Sequence, residues 1–247
     1  MHGDDFMNRE VIKIFSSVVL SERTIKIKLL GDSITHGAGG TGFEQNGAPI
    51  VDKYSRNPDG YCWAKMFKEY MESQFDCAVT NNGCCSVKIE FIIDNFDTLV
   101  DKDDDIIICT IGTNNRNLYH DVPERYTRQE YMKKFYENIV LLNDKFKSAG
   151  KKVIFVANIP AMPEKEKDGE KFCRLFHMND VHDMNVKASA DCDFPLIDLY
   201  TQFIEYCENR NISMDTLYYD GLHPNDAGYD VMFKLILKEL GIANKIK

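Results

Sequence analysis

Two uninterrupted apolar runs constrain this chain more than any other feature. DIIICTI (Asp105–Ile111) and KVIFVAN (Lys152–Asn158) are strand-length, and neither alternates with polar positions. A half-exposed strand would alternate. Both runs therefore predict strands covered on two faces, the condition of a parallel sheet between helices. TIKIKLL (Thr24–Leu30), Cys77–Asn82 and FPLID (Phe194–Asp198) read as three further strands. Gly60–Phe75 carries Trp63, Met66, Phe67, Tyr70 and Met71 at three- and four-residue spacing, which predicts a helix. Val87–Phe96, Thr127–Ser148, Met178–Ala190, Thr201–Asn209 and Pro224–Leu240 also read as helices. Ala149-Gly150 closes the second of these, and Pro224 suits the first turn of the last. Strands alternating with helices predict an α/β fold with a five-stranded parallel sheet and helices on both faces.

The 247 residues fit one domain, with residues 1–23 as an N-terminal extension and a core of about 24–240. Acidic residues outnumber basic ones, 39 to 30, for a formal charge of −9. A surface of that sign disfavours nucleic acid and anionic membranes as partners. No apolar run reaches the ~18–20 residues of a membrane span, and the acidic N-terminus lacks the basic region of a secretion signal. The expectation is a cytoplasmic protein whose eight cysteines are reduced. The acidic run Asp101–Asp105 reads as a solvated turn at the amino edge of the sheet.

In doubly wound sheets, sites form beyond the carboxyl ends of the strands. Those ends hold Gly31-Asp32-Ser33-Ile34-Thr35, Asn82-Gly83 and Gly112-Thr113-Asn114-Asn115. Asp220-Gly221-Leu222-His223-Pro224 precedes the last helix. Together they supply a hydroxyl, accessible N–H groups, a carboxamide, and a carboxylate three residues from an imidazole. Acyl transfer needs these types: a serine needs an imidazole base, and the imidazole needs a carboxylate on its other nitrogen. The oxyanion needs two or three donors. Candidates are the N–H groups of Ser33 and Gly83 and the amide of Asn114.

The four blocks GDSIT (Gly31–Thr35), NNGCCS (Asn81–Ser86), GTNN (Gly112–Asn115) and DGLHP (Asp220–Pro224), in this order, resemble those of the SGNH (GDSL-type) hydrolase superfamily. The resemblance implies a flavodoxin-like three-layer α/β/α sandwich. It implies Ser33 as nucleophile, His223 as base and Asp220 as its orienter, with Ser33, Gly83 and Asn114 forming the oxyanion hole. No cofactor or metal is implied. The sequence departs from the family pattern twice: Asn115 stands where an aspartate is usual, and Ser86 where a glycine is usual.

Other features carry less. Gly37–Gly42 fits G-x-G-x-x-G but does not open directly into a helix, which argues against dinucleotide binding. The long loop Ala38–Asp59, with Asp52, Tyr54, Arg56 and Asn57, reads as a mobile surface loop or a lid meeting a polar substrate. His36 reads as an exposed loop residue, and Cys84-Cys85 as packing. Arg116–Tyr126 and Ala161–Lys171 follow strands and should line the cleft. The expected activity is hydrolysis of short-chain acyl esters, an O-acetyl group on a carbohydrate foremost, through an acyl-enzyme. An acyltransferase, a thioesterase, a lysophospholipase and a catalytically silent binding module are the alternatives.

Overall fold

The computed structural model describes residues 10–16, 22–42, 61–119, 127–168 and 172–242. The loop residues Asp52, Tyr54, Arg56 and Asn57 lie outside these. The strands are β1 (Ile25–Gly31), β2 (Cys77–Gly83), β3 (Ile106–Thr110), β4 (Asn117–Tyr119), β5 (Lys152–Ala157), β6 (Phe172–Arg174) and β7 (Leu196–Asp198). The helices are α1 (residues 10–16), α2 (Ser33–His36), α3 (Trp63–Gln74), α4 (Ile89–Asp94), α5 (Phe96–Leu99), α6 (Arg128–Ser148), α7 (Met178–Cys192), α8 (Leu199–Arg210) and α9 (Asp226–Glu239). A parallel sheet of order β2-β1-β3-β5-β7 forms the middle layer of a three-layer α/β/α sandwich.

Every residue of β3 is buried, as its unbroken apolar sequence requires. Ile106 and Ile108 face a core with Trp63, Phe67, Phe203 and Tyr229, from α3, α8 and α9. Ile107 and Cys109 face a second core with Ile92, Phe135, Ile139 and Phe146, from α4 and α6. Val11 and Phe15 of α1 join the first core. That part of the expected N-terminal extension is thus an integral packing element. Helix α6 shows why such a segment is helical. Thr127 and Glu130 form a capping box, and Phe135, Ile139, Leu142 and Phe146 share one buried face.

Two expectations are corrected. The single helix predicted over Val87–Phe96 is broken at Asn95, whose Nδ2 donates to the Phe91 carbonyl at 2.9 Å. Pro224 does not open the last helix. It bridges to Tyr218, and Asn225 caps α9 instead, accepting from the Gly228 N–H at 3.1 Å. Strands β4 and β6, additional to the five strands expected, pair antiparallel beside the main sheet.

Register fixes where the site stands. Gly31 ends β1 and pairs with Gly83 at the end of β2 and Thr110 at the end of β3. The strand order reverses at β1, the switch point where doubly wound sheets open a cleft.

Candidate active site

From Gly31 the chain turns at once into α2. Asp32 is the N-cap, and its Oδ1 accepts the Ile34 N–H at 3.0 Å. Ser33 is therefore the first helical residue, and its own N–H has no intrahelical partner. The Asn81 side chain locks this turn onto β2: its Nδ2 donates to the Thr35 carbonyl at 2.9 Å, and its Oδ1 accepts the Gly83 N–H at 2.8 Å. A Cβ at Gly83 would lie 2.6 Å from the His36 nitrogen, so this position must be glycine for the turn to pack so closely. His36 closes α2 and is buried, correcting the expectation of an exposed loop residue.

Across the cleft, Asp220 Oδ1 accepts the N–H groups of Leu222 (2.9 Å) and His223 (2.8 Å). Its Oδ2 faces His223 Nδ1 at 3.0 Å. A nitrogen facing a carboxylate carries the proton, so Nε2 keeps its lone pair. That lone pair accepts from Ser33 Oγ at 2.9 Å. Burial pushes the Asp220 carboxyl up, but the imidazole and the two N–H groups outweigh it and hold the carboxyl well below the usual range. The structure thus brings together Ser33, His223 and Asp220, 190 residues apart between serine and histidine, as a continuous hydrogen-bonded chain.

The expected oxyanion donors fare differently. Asn114 stands in the turn after β3, its Nδ2 donating to the Val87 carbonyl at 3.0 Å. That bond fixes the amide and leaves its second N–H available. Gly83 does not match the expectation, because its N–H is committed to Asn81 Oδ1. The next N–H, of Cys84, donates to the Gly31 carbonyl at 2.9 Å. Ser86 follows, exposed and left-handed at φ 63°, the conformation that favours the glycine usual there. Cys84 is buried and Cys85 half-buried, its thiol pushed up to about 12 by burial. That agrees with packing rather than reactivity.

Asp32, Thr113 and Asn115 stand in the blocks named above, whereas Asn158, which joins the first two, carries no distinctive sequence signal. Asp32 is fully buried, which pushes its carboxyl up against the bonds from Ile34 and Thr113. Asn158, after β5, donates to Asp32 Oδ2 (3.2 Å) and Thr113 Oγ1 (2.8 Å). Three strand ends are so tied beneath the nucleophile. Asn115 accepts the Ile89 N–H at 3.1 Å and donates to Glu90 Oε2 at 2.9 Å. An aspartate here would set two carboxylates together, so Glu90 accounts for the departure at this position. Of the segment 161–171, Met162 donates to the Gly221 carbonyl at 2.8 Å, and Lys165 Nζ stands 3.7 Å from Asp220 Oδ2. Tyr119 and His120 have no described side chains.

Among the described residues no group of three or more His, Cys, Asp or Glu could hold a metal ion, and no helix is long and apolar enough to cross a membrane.

The profile of the GDSL-like Lipase/Acylhydrolase family matches residues 29–231. No curated protein matches. Among solved structures, an acetylxylan esterase from Geobacillus stearothermophilus shares the fold at TM-score 0.64 and 16% identity, over 91% of this chain and 96% of its own. LAE5, an alpha/beta hydrolase enzyme from the metagenome of Lake Arreo, Spain, does so at 0.66 and 18%, over 92% and 100%. The lipase/acylhydrolase from Enterococcus faecalis aligns at 0.62 and 21%, over 91% and 98%. With its blocks in order on this fold, the chain belongs to the GDSL-like lipase/acylhydrolase family and is a carboxylic ester hydrolase.

Proposed function

We propose that the protein is a serine esterase that removes short acyl groups, acetyl foremost, from hydroxyl groups of carbohydrates. The observation that carries this reading is the unbroken chain Ser33 Oγ, His223, Asp220, with contacts of 2.9 and 3.0 Å. Ser33 Oγ attacks the ester carbonyl as its proton passes to His223 Nε2, and Asp220 stabilises the imidazolium. The carbonyl oxygen gains the negative charge. The Ser33 N–H, the second Asn114 N–H and the N–H of Ser86, in place of Gly83, receive it. As the tetrahedral adduct collapses, the C–O bond to the alcohol breaks and His223 returns the proton to that alcohol. Water then attacks the acyl-enzyme, giving its proton to His223, and the acid leaves as Ser33 is reprotonated.

Two observations support an acetylated sugar. The fold is shared with an acetylxylan esterase. Tyr219, immediately before Asp220, is 64% exposed and offers an apolar face with a polar tip, which suits a sugar ring. The test is hydrolysis of p-nitrophenyl acetate, butyrate and octanoate, then release of acetate from acetylated xylo-oligosaccharides. Turnover falling with chain length and acetate release are expected. Octanoate as the best substrate, or no acetate released, would overturn the reading.

A further inference from the structure

The segment after β5 has no part in the reaction above, yet it is built tightly against the Asp220–His223 turn. Tyr218 donates its hydroxyl to the Pro160 carbonyl, and Met162 donates to the Gly221 carbonyl at 2.8 Å. Gly221 holds φ 85°, and a Cβ there would meet Glu164 Oε1 at 2.5 Å and Lys165 Cγ at 3.3 Å. The backbone at Lys165 is held from two sides. Its carbonyl accepts from Arg116 Nη1 (3.2 Å) and from Arg174 Nε (3.1 Å). Arg116 is fully buried, pairs with Glu166, and donates Nε to the Thr113 carbonyl at 3.1 Å. One guanidinium thus fastens the turn bearing Asn114 to the turn bearing Lys165.

We infer that Lys165 is a positioning residue for the Asp220–His223 pair: its ammonium, 3.7 Å from Asp220 Oδ2, disfavours the imidazolium and extends esterase activity to lower pH. The inference rests on Ser33, His223 and Asp220 working as proposed. The ammonium acts through Asp220 and touches no reacting atom. Among the described residues, the ionisable and hydroxyl groups set against this turn are Asp220 and Tyr219 on the turn itself, Ser33 and the buried Asp32 from α2 and its cap, and Glu164 and Lys165 from the segment after β5. Lys165 is the one cation among these. Removing it leaves only carboxyls charged beside the pair, so the acid limb of the rate profile is expected at higher pH.

The experiment is the pH profile of kcat/KM for p-nitrophenyl acetate in wild type, Lys165→Met, Lys165→Arg and Lys165→Glu, with Ser33→Ala in parallel. Lys165→Met should move the acid limb up by about 0.3–0.5 pH units, and Lys165→Glu by about twice that, as expected for a partly solvated charge pair. Lys165→Arg should superimpose on wild type, and 0.5 M salt should shrink the shifts. A purely structural lysine would change plateau rate or thermal midpoint and leave the limb in place. Superimposed limbs for Lys165→Met and wild type, with Ser33→Ala inactive, would overturn the inference alone. Activity retained by Ser33→Ala would overturn the proposed function and the inference with it.

Discussion

The two ends of the central sheet both carry dense polar clusters, and they are assembled on opposite terms. At the amino end, each carboxylate of the acidic run 101–105 meets a cation. Lys26 pairs with Asp103, Arg23 with Asp105, and Lys28 lies 2.6 Å from Asp101 and 3.5 Å from Asp104. Lys151 adds bonds to the carbonyls of Lys102 and Asp104. The acidic run is therefore more than a solvated turn, since Asp104 is buried among these partners. At the carboxyl end, Asp32 is buried against N–H, amide and hydroxyl donors, and Ser33 leans on a single imidazole. The first cluster completes its charges and holds the fold. The second leaves a hydroxyl and a basic nitrogen available, which is what chemistry requires.

Breaking the carboxyl end should cost activity and spare stability. Ser33→Ala should lower kcat for p-nitrophenyl acetate by at least ~10³-fold, with a thermal midpoint within about 2 °C of wild type. Asn114→Ala should lower kcat by ~10²–10³-fold with little change in KM, because its donor matters most once the oxyanion forms. An equal loss from KM would place Asn114 in ground-state binding instead.

Breaking the amino end should do the reverse. Lys28 is 4% exposed beside an equally buried Asp104, so Lys28→Met leaves a carboxylate without its buried partner. Urea titration should show a loss of about 2–4 kcal/mol, with kcat/KM per folded molecule unchanged. Adding Asp104→Asn should recover most of it. A smaller version of this test sits near the site itself. Asn115→Asp would replace a bond to Glu90 with a carboxylate pair, for about 1–2 kcal/mol. Glu90→Gln in the same chain should restore the difference.

What could be read from sequence, and what could not, follows the range of the forces involved. The strands β3 and β5 and the serine, histidine and aspartate were legible because burial writes itself into unbroken apolar runs, and because one turn carries both Asp220 and His223. Strands β4 and β6 have three residues each, too few to show a period. The capture of the Gly83 N–H by Asn81 is local, but it depends on a side-chain rotamer that no pattern encodes. Lys165 meets Asp220 only because β5 and the last turn end on the same edge, and no spacing reports that. The Asn225 cap was masked by Pro224, whose preference for a first helical turn yielded to a bridge with Tyr218.

Acid should sharpen the comparison last and most gently, because three carboxyls divide by surroundings and not by which end they occupy. Asp220 is held below the usual carboxylate value by its imidazole and two N–H groups despite burial. Its contribution is present above the unfolded value of about 4 and is lost as pH falls toward the folded one. Asp104 and Asp32, at opposite ends, are both pushed up by burial. Keeping them ionised opposes folding above their folded values, and that opposition is relieved as pH falls through those values toward about 4. Replacing Asp104 with Asn removes one relief, so stability should fall more steeply than in wild type on the way down to pH 4. Asp220→Asn removes the acid-labile contribution, so its curve should be flatter below pH 4. Urea midpoints at half-unit steps from pH 7 to 3 would resolve the two. Parallel curves for Asp104→Asn and wild type would mean that Lys28 fully compensates the burial of Asp104. The amino end would then be neutral in its response to acid as well as complete in its charges.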